Sequence, residues 1–265
     1  MTDTPEDPLR RFRAREIRFD GGGATRDVAV AVEAPLNIVY GDTPYAVMMT
    51  TPADLEDFVF GFSLTEGVIA RAGEVRGIEI QRQHEGYVAS VNLTPDALRR
   101  HMARRRNLSG RTSCGLCGVE DFTQLPAAQQ KVGARAVATA AVARALAALH
   151  DGQALFRATR AVHAAAWCAP DGEVCLVRED VGRHNALDKM IGACVRAELP
   201  ASDGFALITS RCSFEMIEKA AIFGAPALVS VSAPTSLAIE RALALGVTLI
   251  AVAREDGALV FVAPN

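Results

Sequence analysis

Apolar positions follow two rhythms along the chain. Up to about residue 135, short runs alternate apolar and polar side chains, the period of a half-buried strand. Leu36–Tyr40 and Tyr45–Thr50 read as strands, and Gly41-Asp42-Thr43-Pro44 between them has the residues of a tight turn, which predicts a hairpin. Leu55, Phe58, Val59 and Phe62 recur at helical spacing, so a helix is expected from near Pro52, a favourable first-turn residue. Strands are expected around Val75–Ile80 and Tyr87–Leu93, then a short helix from Pro95 into an arginine-rich stretch. Before all of these, the Gly21-Gly22-Gly23 turn closes a polar head expected to be frayed.

From about residue 136 the rhythm lengthens. An Ala-rich run from Val137 to Leu149 has strong helix propensity and leads through a helix ending at His150 to extended stretches at Ala161–Trp167 and Val174–Arg178. Helices over Asn185–Glu198, Ser213–Phe223 and Ser236–Leu245 then alternate with strands over Phe205–Thr209, Ala227–Val231 and Val247–Val252. That alternation predicts crossover connections and a largely parallel sheet. The chain divides into a flexible head with the first strand (1–35), a small α+β domain ending in a Cys-x-x-Cys loop (36–135) and an α/β domain (136–265). Ligands of such sheets bind beyond the carboxyl ends of the strands, which marks Arg178–Asn185, Ser210–Ser213, Ser232–Ser236 and Ala253–Gly257 as a candidate rim.

Composition narrows the classes. Half of the 265 residues are hydrophobic and the formal charge is only −3, which excludes a disordered chain. With 28 basic against 31 acidic residues there is no overall basic excess, so nucleic acid is not an expected partner. The N-terminus lacks the apolar core of a secretory signal and no stretch is apolar enough to span a bilayer, so the expected compartment is the cytosol, where thiols stay reduced. Six irregularly spaced cysteines do not make a disulfide scaffold. Cys168, Cys175 and Cys194 sit inside apolar patterns and read as core. Cys212, at a strand-to-helix junction, is either a small buried residue or a thiol activated by a helix N-terminus.

The strongest local signal is Gly110-Arg111-Thr112-Ser113-Cys114-Gly115-Leu116-Cys117-Gly118-Val119-Glu120. Glycines surround two thiols, and Arg99, Arg100, Arg104, Arg105, Arg106 and Arg111 lie upstream or within, a local cationic patch able to favour thiolate or steer an anion. A solvated helix face is the alternative for the arginines. For the thiols, a zinc half-site lacks a second Cys-x-x-Cys pair. A nucleic-acid deaminase lacks its His-x-Glu, and a thioredoxin-like pair lacks its βαβ context. A surface loop without chemistry stays open. In Glu179-Asp180-Val181-Gly182-Arg183-His184-Asn185, Arg183 and His184 at a helix start offer donors to a phosphate, while Asn185 with Asp188 equally reads as a cap. His163 reads as a strand histidine, and His84, His101 and His150 as surface residues.

The chain resembles the formate dehydrogenase accessory sulfurtransferases, the FdhD family. The resemblance is carried by GRTSCGLCGVE at 110–120, the strand Tyr45–Thr50, DFVFGFSLTEGVI at 57–69, HAAAW at 163–167, EDVGRHNALDKMIG at 179–192, TSRCSFEMIEKAA at 209–221 and SVSAPTSLAIE at 230–240. It implies a cytidine-deaminase-like three-layer αβα domain with a smaller N-terminal α+β domain, assembled as a homodimer. It also implies a sulfurtransferase in which Cys114 takes persulfide sulfur from a cysteine desulfurase, with Cys117 as its partner. The sulfur goes to the molybdenum of the bis(molybdopterin guanine dinucleotide) cofactor, bound as substrate and destined for formate dehydrogenase, with no metal of the carrier's own. The family's cofactor-binding stretch corresponds to Val252, Ala253, Arg254, Glu255, Asp256 and Gly257. Here Val252 replaces a usual aromatic residue and Glu255 and Asp256 add negative charge, so a structural turn is the rival reading. A binding-only cofactor chaperone and a degenerate zinc deaminase are the alternative functions.

Overall fold

The computed structural model describes residues 7–84, 86–105, 128 and 130–264. The head is not frayed over most of its length. β1 (Leu9–Arg15) and β2 (Thr25–Ala31) form a two-stranded antiparallel ribbon from Leu9↔Ala31 to Arg15↔Thr25. Its strands are mostly exposed on both faces, so they carry no apolar alternation for a sequence reading to detect.

The small α+β unit follows. β3 (Ala34–Tyr40) and β4 (Thr43–Thr50) make the expected hairpin, turning at Gly41 and Asp42, both left-handed with φ 53° and 62°. Two such residues match the right-handed twist of the flanking strands. α1 (Leu55–Thr65), β5 (Val75–Gln83), β6 (Gly86–Leu93) and α2 (Pro95–Arg105) complete the unit, whose sheet runs β4-β3-β6-β5 with β3 and β6 parallel. Leu36, Ile38 and Tyr40 of β3 pack against Phe58, Val59 and Phe62 of α1 and Ala89 and Val91 of β6. α1 starts three residues after Pro52, because Thr50 and Thr51 are bound to Asp180 and Lys189 far along the chain. Thr50 Oγ1 and Thr51 N donate to Asp180 Oδ2 at 2.6 and 2.9 Å, and Lys189 Nζ donates to Thr51 O at 2.9 Å.

The larger unit comprises α3 (Thr139–Gly152), α4 (Ala154–Thr159), β7 (His163–Cys168), β8 (Val174–Asp180), α5 (Arg183–Arg196), β9 (Phe205–Ile208), α6 (Phe214–Phe223), β10 (Ala227–Ser230), α7 (Ser236–Leu245), β11 (Thr248–Arg254) and β12 (Gly257–Val262). It is a three-layer α/β arrangement, legible in the alternation of the strands. Ala165, Trp167, Ala206, Ile208, Leu228 and Leu249 face α5, α6 and α7. Their neighbours Ala166, Cys168, Phe205, Leu207, Val229 and Ile250 face α3. The sheet order is β12-β11-β10-β9-β7-β8, and it is mixed where a largely parallel sheet was expected. Only β9–β10 and β10–β11 are parallel. The β7–β8 connection, Ala169 to Glu173, and the β11–β12 turn, Glu255-Asp256, are too short for a crossover, so those strands return antiparallel. β8 nevertheless ends at the same edge as β9, β10 and β11, because it is antiparallel to β7, which is antiparallel to β9. α5, α6 and α7 all begin at that edge. No described helix is long and apolar enough to cross a membrane.

Residues 130–135, grouped with the small domain on sequence, run instead along the large one: Val132 N donates to Leu245 O at 2.7 Å and Arg135 Nη1 pairs with Asp203 at 3.1 Å. The two units meet where α1 crosses α5. A Cβ on Gly61 would stand 1.8 Å from the carbonyl oxygen of Asp188, and one on Gly192 would stand 1.8 Å from that of Asp57. The helix backbones therefore touch, and only glycine permits it at either position. Flanking the crossing, the buried Asp57 accepts from Arg178 Nε at 2.8 Å and Arg196 Nη1 at 2.5 Å. Asp188 accepts from Thr65 Oγ1 and Lys219 Nζ, each at 2.8 Å. Gly61→Ala and Gly192→Ala are each expected to cost about 3 kcal/mol or more in denaturant unfolding, since neither backbone can yield. Gly73→Ala, with nothing within 4 Å of the added Cβ, should stay within about 0.5 kcal/mol of the parent. Equal midpoints for all three variants would overturn the close crossing.

Candidate functional site

The rim at the carboxyl ends of β8, β9, β10 and β11 is built by backbone pairing between its loops. Cys212 N donates to Ala233 O at 3.2 Å and Thr235 N to Cys212 O at 3.0 Å, so the β9–α6 and β10–α7 loops extend the sheet. Ser230 Oγ bridges them, bonding Ser210 O at 2.8 Å and Ser232 O at 2.9 Å. Val252 N donates to Ser232 O at 3.1 Å, which attaches the end of β11. The N-termini of α5, α6 and α7 thus converge on one edge, where negative charge is favoured; that of α7 is capped by Thr235 Oγ1, which accepts from Ala238 N at 3.3 Å.

The segment 179–192 divides between this rim and the interior. Glu179 accepts from the backbone N–H groups of Leu155 and Phe156 at 2.7 and 2.8 Å and so caps α4. Asp180, fully buried, forms an ion pair with the equally buried Lys189 at 2.7 Å and binds Thr50 and Thr51. Asn185 Nδ2 donates to Met49 O at 2.7 Å and to Asp180 Oδ1 at 3.0 Å. Asn185 and Asp188 are therefore neither caps nor ligand groups; both join the small unit to the large one. Burial raises the pKa of Asp188 against the pull of the Lys219 ammonium. Arg183 and His184 remain half-buried at the rim.

His184 Nε2 lies 3.9 Å from Glu215 Oε2, and Ser213 Oγ donates to that oxygen at 2.7 Å. The His184 ring and then the Ser213 hydroxyl lower the Glu215 pKa to about 2. His163, at the start of β7 opposite Asp180, has its pKa lowered by burial and then by the Arg183 charge, which favours a neutral ring. Ser213 closes the Ser210–Ser213 stretch expected at the rim, whereas Glu215 was missed in the sequence. The available signal was its place in the first turn of a helix that follows a parallel strand.

Val252–Gly257 forms the end of β11, a two-residue turn at Glu255-Asp256 and the first residue of β12. The register shifts between Ala251 and Arg254, and Val252 lies at φ 53°. A β-branched residue in that region costs of the order of 1–3 kcal/mol. Arg254 Nη1 donates to Val231 O, so its guanidinium is tied to the β10–α7 loop. Arg254, Glu255, Asp256 and Gly257 are exposed, Val252 is partly so, and Ala253 is buried against the α3 side of the sheet. Side-chain binding by Ala253 is thereby excluded; it could serve such a site only through its backbone. β12 itself was not anticipated, although Asp256-Gly257 between two apolar runs is a hairpin signal.

Cys114 and Cys117 lie outside the described residues, as do Arg106 and Arg111. The other four cysteines are free. Cys168, Cys194 and Cys212 are buried, and burial pushes each thiol up to about 12, so the helix N-terminus does not activate Cys212. Cys175 corrects the core reading: it is exposed, because β8 is the sheet's edge strand. His101 is a second correction, buried with its ring centroid 5.1 and 5.2 Å from those of Tyr40 and Tyr45. Of the upstream arginines, Arg99 pairs with Asp96, and Arg100 with Glu74 at 2.7 Å, so these two add little free positive charge. Among the described residues no three His, Cys, Asp or Glu side chains cluster to hold a metal ion.

These features define a three-layer α/β protein with a polar rim and a smaller α+β unit locked to one of its helices. Comparison with known proteins gives the family. The FdhD/NarQ family profile matches residues 31–265. The chain belongs to the FdhD/NarQ family. It is 46% identical to the sulfur carrier protein FdhD of Xanthomonas axonopodis pv. citri over 95% of this chain and 90% of the relative. To the sulfur carrier protein FdhD of Bordetella petrii it is 45% identical over 100% of this chain and 94% of the relative. A crystal structure of a formate dehydrogenase accessory protein from Desulfotalea psychrophila matches with a TM-score of 0.76 and 26% identity, covering 98% of this chain and 99% of that one.

Two outcomes follow from this chemistry. In the native protein at neutral pH, iodoacetamide should label Cys175 and spare Cys168, Cys194 and Cys212, as read by peptide mass mapping. Rapid labelling of Cys212 would reverse its assignment to the core. Glu215 has a folded pKa near 2 against an ordinary value of 4.5, so its contribution to stability is complete above pH 4.5 and lost as pH falls towards 2. Glu215→Gln should therefore be less stable than the parent at pH 6, and the gap should close between pH 4.5 and 2; a pH-independent gap would mean that the Glu215 carboxylate is not held by His184 and Ser213.

Proposed function

We propose that this chain is a sulfur carrier in formate dehydrogenase maturation, a sulfurtransferase working through a persulfide on Cys114. The observation that carries the reading is 45–46% identity, over nearly the whole chain, to proteins named sulfur carrier protein FdhD. The Gly-rich GRTSCGLCGVE segment supplies two thiols of the right spacing. Burial leaves Cys168, Cys194 and Cys212 as poor competitors.

Chemically, the Cys114 thiolate attacks the terminal sulfur of a persulfide on a cysteine desulfurase. The desulfurase cysteine leaves as a thiolate and Cys114 holds the outer sulfur. Attack by the Cys117 thiolate on the Cys114 sulfur then forms a Cys114–Cys117 disulfide and expels the outer sulfur as hydrosulfide. The molybdenum of bis(molybdopterin guanine dinucleotide), the substrate, takes up that sulfur. A dithiol reductant returns the pair to thiols for the next cycle, which suits a cytosolic location and a reducing compartment. The rim supports cofactor binding: three helix N-termini, Arg183 and His184 offer donors to the pyrophosphates, and the strained Val252 stands beside the Ser232 loop. The Val252–Gly257 stretch belongs to that proposed site, with Arg254 as its cation. A homodimer serving formate dehydrogenase as client completes the reading.

Incubation with a cysteine desulfurase and cysteine should add one sulfur, 32 Da, to the Cys114 peptide. Cys114→Ala should abolish both the adduct and activation of formate dehydrogenase. Full activation by a Cys114→Ala/Cys117→Ala protein would instead make the chain a binding-only cofactor chaperone.

A further inference from the structure

The β1–β2 ribbon is used neither by the rim nor by the α1–α5 crossing, and its strand β1 is cationic. β1 carries Arg10, Arg11, Arg13 and Arg15 and no acidic residue, in a chain whose formal charge is −3. Side chains alternate along a strand, so Arg11, Arg13 and Arg15 share one face, about 7 Å apart. None of these three forms an ion pair with a described residue. Asp27 stands opposite Arg13 in the register without pairing with it, and Glu16 pairs with Arg18 at 3.6 Å. The other face carries the exposed Phe12 with Ala14, beside Val28 and the exposed Val30 of β2, and Arg10 and Arg26 flank it.

Backbone pairing shows which groups of β1 are left over. At one end of the ribbon Val32 N donates to Pro8 O at 2.8 Å, and at the other Glu16 N donates to Ala24 O at 2.9 Å. Hydrogen-bonded pairs recur at every second residue of an antiparallel ladder, so Arg10, Phe12 and Ala14 turn their N–H and C=O groups towards β2. Arg11, Arg13 and Arg15 turn theirs outward, along the edge that β2 does not cover. β2 is the inner strand and runs beside α4, whereas every residue from Arg10 to Arg15 is exposed. The same three residues thus present outward backbone groups and uncompensated guanidinium groups along one line. An open edge recruits strands, and its charge decides which. A second copy of β1 would set arginine against arginine, an arrangement that like charges on neighbouring strands disfavour. An extended segment with a carboxylate at every second position meets both sets of groups.

We infer that β1 is a docking edge for an acidic, extended segment of another protein, which adds to the ribbon as a third strand. The inference goes beyond the sulfur-carrier reading and stands whether or not that reading holds. With the full chain at low salt, the peptide Glu-Val-Glu-Val-Glu-Val-Glu should bind about tenfold more tightly than Glu-Glu-Glu-Glu-Val-Val-Val, which has the same composition and charge but no alternation. At saturation, amide hydrogen exchange followed by NMR should slow about tenfold or more at Arg11, Arg13 and Arg15, whose N–H groups point outward. Arg11→Glu/Arg13→Glu/Arg15→Glu should weaken binding of the alternating peptide about tenfold or more and confer binding of its lysine counterpart. Arg11→Gln/Arg13→Gln/Arg15→Gln is the milder variant and decides the matter if the reversal does not fold by thermal melting. Equal affinity for the two acidic peptides with unchanged exchange at the three amides would reduce β1 to unspecific attraction and overturn the docking edge. So would failure of either peptide to bind. Tighter binding of a duplex DNA oligonucleotide than of the alternating peptide, lost in the same variant, would make nucleic acid the partner instead.

Discussion

The architecture depends on two helices that touch backbone to backbone. Gly61 and Gly192 let α1 of the small unit lie directly on α5 of the large one, each glycine meeting a carbonyl of the other helix. At that distance the polar side chains beside the crossing have no room for water, so each must find a protein partner. Asp57 takes Arg178 and Arg196, Asp188 takes Thr65 and Lys219, and Asp180 takes Lys189, Thr50 and Thr51. Buried ion pairs of this kind add little net stability over apolar side chains of equal volume. Their effect here is on register, because any other docking of the two units would strand a buried charge.

This docking also sets the rim. In 179–192 successive residues serve opposite ends of the problem: Asp180, Asn185, Asp188 and Lys189 point into the junction, whereas Arg183 and His184 stay at the rim. Fixing the start of α5 through Asp180 therefore fixes where Arg183 and His184 stand on the rim. Ser213, just before α6, and Glu215 in its first turn complete that side, and the Ser230 bridge with the Val252 backbone contact brings the β10 and β11 loops alongside. A site assembled from four strand ends is precise only if the strands and the small unit are rigidly joined, which the glycine crossing provides.

Much of the fold was legible in the sequence where burial is one-sided. The β3–β4 hairpin, α5, α6, α7 and the parallel strands β9 to β11 each carry a period that a single buried face imposes. Legibility failed where burial was absent or long-range. The β1–β2 ribbon is mostly exposed on both faces, and the tyrosine rings that enclose His101 come from a hairpin more than fifty residues away in sequence. α1 begins late because Asp180 and Lys189 hold Thr50 and Thr51 extended, a contact across about 130 positions that no local window contains.

Family membership, the Cys-x-x-Cys motif and the alternation of elements were properties of the sequence itself, since each is written in adjacent residues. Tertiary structure alone decided the jobs of the polar residues in those same motifs. Asn185 and Asp188 became junction groups, Cys212 an inert core thiol and Cys175 an exposed one. The reason is physical: a carboxylate, amide or thiol is the same group in every sequence, and what it does depends on which partners and how much water the fold leaves beside it.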